Sequence, residues 1–148
     1  MKKIYNVVLF SNIPDTGALV EAFYFDWSQI EDVPYKVTFT FQAAGSSIQD
    51  SAVIQVFVDL GQGNTTFIAQ SQTAPTHYKT GFLGSLMING VGGDNFYYSY
   101  IPNNPPVLIY HRPPNNSFTV GLYTNVPPFN NSLLPPGGYT LILNFEEC

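Results

Sequence analysis

Apolar and polar residues alternate with a period of two along the most regular segments of the chain. The two clearest cases are 35–42 (YKVTFTFQ) and 139–145 (YTLILNF). Alternation of β-branched and aromatic residues with polar ones predicts half-buried β-strands with one apolar face. The residues predicted to face the core are Tyr35, Val37, Phe39, Phe41, Tyr139, Leu141, Leu143 and Phe145.

Other short segments are rich in apolar and β-branched residues and bring the expected total to about ten strands. They are 4–10, 18–25, 52–59, 65–70, 84–88, 95–101, 107–111 and 117–123. No segment carries an apolar stripe with helical spacing over three turns. The best helical candidate is a single turn near Ser28–Asp32.

Proline pairs separate the strands of the second half, at 105–106, 113–114, 127–128 and 135–136. Proline has no N–H for a β-ladder and restricts the residue before it to extended geometry, so adjacent prolines mark strand boundaries. Short strands between such corners predict an all-β chain, with residues 1–148 forming a single-domain two-sheet β-sandwich. Long, irregular Pro/Gly corners favour the jelly roll among sandwiches.

Charge is scarce. Only 10% of residues are charged, against about 25% in ordinary soluble domains. Protein interfaces lose Lys, Glu and Asp and gain aromatic residues, and this chain has 10 Tyr and 12 Phe. We therefore expect much of its surface to meet other proteins, although a large aromatic core would account for part of the same composition. The net charge of −5 and the lack of a basic cluster argue against nucleic-acid binding.

The ends of the chain bear on its compartment. The first apolar run, 4–10, is too short for a usual signal-peptide core or a membrane span. The only cysteine, Cys148, cannot form an intrachain disulfide. We expect synthesis in a reducing compartment and no membrane span.

Candidate catalytic chemistry is sparse. His77 and His111 are the only histidines, and neither has the spacing of a metal site or a nucleophile pair. Asp26, Glu31 and Asp32 could help bind a cation, but a solvated corner is the favoured interpretation. The expectation is a protein that is not an enzyme, with no catalytic residue, no cofactor and no metal.

A tyrosine-rich strand supplies the leading interface candidates. In 95–101, Tyr98 and Tyr100 share one strand face and Tyr97 occupies the other. Their rings could anchor a protein partner, pack in the core or form a platform for a sugar. The predicted interface residues are Tyr97, Tyr98, Tyr100, Tyr110, His111 and Arg112.

The segment FDWSQIEDVPYKVTFTFQ, residues 25–42, resembles a recurring segment of small minor capsid proteins of large icosahedral nucleocytoplasmic double-stranded DNA viruses. In that family an aromatic-Asp-Trp-Ser corner leads into an alternating aromatic strand, and the closing YTLILNFE is similar to the family's final strand. The resemblance implies a single jelly roll in the virion of a giant virus. It would be assembled in the host cytoplasm and would bind other capsid proteins or copies of itself, with no catalytic residues.

A second class of function also fits the composition. A carbohydrate- or receptor-binding β-sandwich module, from a fibre or an appended domain, would use exposed aromatic rings as platforms. Its candidates are Tyr98, Tyr100 and Trp27. Glycan binding by the isolated domain would favour this alternative.

Overall fold

The protein is built from β-strands joined by irregular corners. The computed structural model describes residues 1–11, 20–42, 44–45, 53–60, 81–90, 96–100, 104–124 and 139–148. The strands are β1 (Ile4–Phe10), β2 (Val20–Tyr24), β3 (Tyr35–Gln42), β4 (Ala44–Gly45), β5 (Val53–Val58), β6 (Phe82–Gly90), β7 (Phe96–Tyr100), β8 (Val107–Ile109), β9 (Ser117–Thr124) and β10 (Thr140–Glu147). The other regular element in these ranges is a 3-10 turn at Trp27–Gln29, which overlaps the single turn predicted near Ser28–Asp32. The strand predicted at 65–70 lies outside the described residues.

The strands form two antiparallel sheets. One has four strands in the order β1-β10-β3-β8, and the other has six in the order β2-β9-β5-β6-β7-β4. Buried side chains from both sheets belong to one hydrophobic cluster, as in a β-sandwich whose inner faces share a core. The predicted all-β, two-sheet sandwich is confirmed.

The strand pairings are nested along the chain. The outermost pair is β1 with β10, followed inwards by β2 with β9, β3 with β8, β4 with β7, and β5 with β6. Each pairing is antiparallel. The chain therefore pairs like one long antiparallel ribbon, with the pairs β1–β10 and β3–β8 in one sheet and the other pairs in the second sheet.

The two central strands of the four-stranded sheet contribute opposed pairs of buried side chains to the core. The register of β3 and β10 places Phe39 opposite Leu143 and Phe41 opposite Leu141. All four side chains are buried, and their exposed fractions do not exceed 3%. The alternation in these two strands therefore identified the inward faces correctly, because directly opposed residues of an antiparallel pair lie on the same side of the sheet.

Gly81 lies immediately before the strand β6 and has a backbone conformation that favours glycine. Its φ is +92°, and its carbonyl accepts a hydrogen bond from the N–H of Val58 at 2.9 Å. A Cβ atom at this position would lie 2.5 Å from the carbonyl oxygen of Val58. Both conditions require glycine here, and just beyond it the β5–β6 register shifts between Val56 and Phe57.

Candidate functional site

A hydrogen-bonded corner precedes β3 and begins with Asp26. One carboxylate oxygen of Asp26 accepts hydrogen bonds from the N–H of Ser28 at 3.1 Å and from its hydroxyl at 2.7 Å. These bonds cap the 3-10 turn in the way that Asp and Asn cap helices. Hydrogen bonds to the ionised form favour it, so Ser28 lowers the pKa of Asp26.

Trp27 is the anchor of this corner. Its side chain is 1% exposed, and its ring lies 4.8 Å from that of Phe25 and 5.3 Å from those of Phe118 and Phe145, measured between centroids. Its indole N–H donates to the carbonyl of Asn115 at 3.0 Å. Trp27 therefore joins the two sheets inside the core, and the prediction that it could serve as a sugar platform is wrong because the ring is not accessible.

The corner also receives the segment that follows β8. The guanidinium of Arg112 donates to the carbonyl of Ile30 at 3.0 Å, and its backbone N–H donates to a carboxylate oxygen of Asp32 at 3.2 Å. The same oxygen lies 3.3 Å from Nδ1 of His111. The contact between Asp32 and Arg112 could not be predicted from the sequence, because the two residues are 80 positions apart.

An open hollow lies where these segments meet. Its polar lining includes Asp26, Ser28, Asp32, His111, Arg112 and Asn116. The Ser28 hydroxyl donates to Asp26, whereas His111 faces Asp32 and keeps 79% of its side chain exposed. In the described contacts, Ser28 is therefore bound to one carboxylate, that of Asp26, and His111 lies beside another, that of Asp32.

The three carboxylates that could have formed a cation site have separate partners. Asp26 binds Ser28, Glu31 forms an ion pair with Lys3, and Asp32 faces Arg112 and His111. Within the described ranges no group of three or more His, Cys, Asp or Glu residues is placed to hold a metal ion. The contacts of these carboxylates are those of a solvated structural corner.

The asparagines beside the proline pairs bind backbone groups across the fold. The side chain of Asn104 accepts from the N–H of Ser85 at 3.1 Å and donates to its carbonyl at 2.7 Å. The Asn116 side chain accepts from the N–H of Trp27 at 3.2 Å. These amides therefore supply partners to backbone groups of Ser85 and Trp27.

The predicted interface residues fall in two places. Tyr110 and His111 are exposed and Arg112 is half-buried, all at the corner after β8. Tyr97, Tyr98 and Tyr100 lie in β7, where the register pairs Tyr98 with Ile88 and Tyr100 with the buried Leu86. The side chains of these three tyrosines lie outside the described part of the molecule, so their role stays a prediction.

The outward surface of the four-stranded sheet is a second candidate surface. Outward residues of β1, β10 and β3 form four cross-strand rows, which are Ile4–Glu146–Lys36, Asn6–Asn144–Thr38, Val8–Ile142–Thr40 and Phe10–Thr140–Gln42. We call these residues the outer face. Charges occur only in the first row, and a shallow hollow lies over the middle two.

Exposed apolar side chains concentrate on β1. Ile4, Val8 and Phe10 are 57%, 45% and 74% exposed, whereas Val7 and Leu9 of the same strand are buried. Our interface prediction centred on the second half of the chain and missed this strand. The signal was present in IYNVVLF, because an antiparallel strand with one solvated face normally alternates, and this one is apolar on both faces.

Comparisons with protein-family models, curated proteins and solved structures return no match to this chain. In the described part of the chain there is also no helix of the length and apolarity that a membrane crossing needs. Its function is therefore inferred from the resemblance of residues 25–42, the strand pairing and the surfaces described above.

Proposed function

We propose that this chain is a structural virion protein, a minor capsid or cement component that supports the major capsid lattice through protein–protein contacts. It would act in the virion of a large DNA virus, after assembly in the host cytoplasm. The resemblance of residues 25–42 to small minor capsid proteins motivates the proposal. Its expected partners are other capsid proteins and copies of itself.

The nested strand pairing supports the jelly-roll part of the proposal. In a jelly roll an antiparallel ribbon is rolled into two sheets with Greek-key connections. Pairing of β1 with β10, β2 with β9, β3 with β8, β4 with β7, and β5 with β6 is the pattern that such a ribbon requires.

The outer face is the observation that carries the functional proposal. Three of its four rows contain no charged residue and combine amides, hydroxyls and apolar side chains. Asn6 and Asn144 already hydrogen-bond to each other across the strands at 2.9 Å. Removing charged groups from water is the main electrostatic cost of forming an interface. That cost would be small here, because burying this face would desolvate few charges.

A mass-spectrometric inventory of purified particles tests the proposal directly. We expect this chain at fixed stoichiometry to the major capsid protein. Its absence from particles, together with glycan binding by the isolated domain, would instead support the carbohydrate-binding alternative.

A variant pair tests the role of the outer face. Thr40→Lys places a charge in its third row, and we expect weaker incorporation into particles. Thr119→Lys is the matched control, because Thr119 is also an exposed strand threonine but lies on β9 of the other sheet. Equal incorporation of the two variants would show that the outer face is not the lattice contact.

A further inference from the structure

The pattern of hydrogen bonds between β1 and β10 shows which backbone groups of β1 point away from β10. The carbonyl of Lys3 accepts from the N–H of Glu147 at 3.0 Å, and the N–H of Ser11 donates to the carbonyl of Tyr139 at 2.9 Å. In an antiparallel ladder the residues that bond to a given neighbour alternate. Odd-numbered residues of β1 therefore bond to β10, and the even-numbered ones direct their N–H and C=O groups to the other edge.

No described strand pairs with that other edge, because β1 is the terminal strand of its sheet. The even-numbered residues are Ile4, Asn6, Val8 and Phe10, which also belong to the outer face. An edge of this kind offers a row of donors and acceptors to any chain that can lie beside it.

The other three sheet edges carry features that discourage pairing. The strand β8 has three residues between two proline pairs, β4 has two residues, and β2 carries Glu21 among its five residues. Short length, proline and charge are the devices that blunt sheet edges. By contrast, β1 has seven residues, no charge and no proline, and its register with β10 is unbroken.

We infer that β1 pairs with the β1 strand of a second copy of this chain, antiparallel about a two-fold axis at Val7. Full overlap of the two strands then places Ile4 opposite Phe10 of the second copy and Asn6 opposite Val8. All of these positions are even-numbered, so the backbone groups at the edge meet their partners. Two four-stranded sheets would become one continuous sheet.

Charge selects this arrangement over the parallel one. In the antiparallel pair, Lys2 and Lys3 lie beyond the paired segment, and Lys3 is already neutralised by Glu31. In a parallel pair the lysines of the two copies would be adjacent, and like charges facing each other destabilise a ladder. Because the same strand supplies both halves of a closed contact, the interface is self-complementary. This inference does not rest on the proposed function, since self-association and incorporation into particles are measured separately.

Sedimentation of the full chain over a concentration series tests the inference. We expect a monomer–dimer equilibrium for the wild type. Val8→Pro removes one N–H from the open edge without removing a bond to β10, and proline is tolerated at such edge positions. We expect this variant to melt like the wild type and to self-associate at least about tenfold more weakly, a loss of about 1.4 kcal/mol.

Two further variants keep the test decisive. Val8→Lys retains the N–H but brings like charges together across the two-fold axis, so it should also weaken the dimer. It provides the test if Val8→Pro does not fold. Thr40→Lys lies on the outer face but away from the edge, and it should leave the dimer intact. A monomeric wild type, or a dimer sensitive to Thr40→Lys but not to the Val8 variants, would overturn the inference.

Cross-linking tests the register itself. In a Cys148→Ser background, chains carrying Asn6→Cys are mixed with chains carrying Val8→Cys. Directly opposed residues have Cα atoms about 5.5 Å apart, within the range of a disulfide, whereas like positions across the axis are diagonal and about 7–8 Å apart. The mixture should therefore form disulfide dimers faster than either chain alone, and equal rates would exclude this register.

Discussion

Phe39 packs directly against the backbone of Gly84, across the interface between the two sheets. A Cβ atom on Gly84 would lie 2.6 Å from Cε1 of Phe39. Phe39 belongs to β3 of the four-stranded sheet and Gly84 to β6 of the six-stranded sheet. Glycine therefore makes room for a large aromatic ring where the sheets approach, and close approach of this kind is one reason for glycine in a strand.

Replacing Gly84 by alanine should destabilise the protein. The new methyl group would meet Phe39 and also lie 2.9 Å from Cγ of Asn104, whose amide brackets Ser85. Overpacking of this type costs about 1–3 kcal/mol. The free energy of unfolding is measured by urea denaturation. In a Phe39→Leu background, where the aromatic ring is absent, Gly84→Ala should lower the free energy of unfolding by less than it does in the wild type. An equal loss in the two backgrounds would contradict the contact.

Truncating the inward face should be costlier. Phe39 and Leu143 are opposite each other in the register of β3 and β10, with exposed fractions of 2% and 0%. Phe39→Ala and Leu143→Ala should each lower the free energy of unfolding by about 2–5 kcal/mol. The neighbouring Thr40 is exposed, so Thr40→Ala should change it by less than about 0.5 kcal/mol. Wild-type-like melting of both core variants would show that the inward face is assigned wrongly.

Strands with strong alternation could be predicted closely from the sequence. The alternating segment 35–42 has the bounds that its pattern predicted. The segment 4–10, which is apolar on both faces, was also predicted with its observed bounds. Agreement is weaker where a distant contact decides the boundary. The strand predicted at 107–111 ends at Ile109, and the chain then turns to the corner where Arg112 binds Asp32 and Ile30.

The candidate surfaces were harder to predict than the strands. The face on which a residue lies follows from local alternation, but its exposure depends on which strands become neighbours. The edge position of β1 follows from its pairing with β10 at the other end of the chain. The burial of Trp27 could not be predicted either, because Phe118 and Phe145, which enclose its ring, are distant from it in the sequence.

The two asparagines after the second proline pair allow a matched test of the Trp27 corner. Asn116 uses its side chain to accept from the N–H of Trp27, whereas Asn115 contributes its backbone carbonyl to the indole N–H. Asn116→Ala should therefore leave a donor unsatisfied and cost about 1–3 kcal/mol. Asn115→Ala retains the carbonyl and should have little effect. Equal melting temperatures for the two variants would contradict this assignment.

Stability should fall at alkaline pH because two buried tyrosines resist ionisation. Burial raises the pKa of Tyr35 to about 12, with smaller contributions from Tyr5, Glu147 and Glu31. Burial, together with Glu21, raises the pKa of Tyr139 well above its ordinary value. A raised folded-state pKa contributes stability that is complete below the unfolded pKa of about 10 and is lost as pH rises through the folded value.

We therefore expect the free energy of unfolding to decline above pH 10, with Tyr35 contributing between pH 10 and 12. The Tyr35 hydroxyl also donates to the carbonyl of Glu31 at 2.5 Å, so Tyr35→Phe should be less stable at neutral pH and lose less stability on alkalinisation. Urea denaturation at several pH values measures both effects. An unchanged alkaline slope in Tyr35→Phe would refute the assignment to this residue.

The tyrosines of β7 give the last prediction. If they anchor the contact with the capsid lattice, replacing Tyr98 and Tyr100 together with serine should weaken incorporation into particles and leave the isolated domain folded. Aromatic anchors of this kind carry much of the energy of an interface, typically 2 kcal/mol or more each on truncation. Tyr24→Ser is the control, because Tyr24 is 72% exposed on β2 and lies outside the predicted contact. The alternative is that these tyrosines pack in the core, because the register pairs Tyr100 with the buried Leu86. Loss of folding in the double variant would place these side chains in the core, and normal incorporation of a folded double variant would remove β7 from the lattice interface.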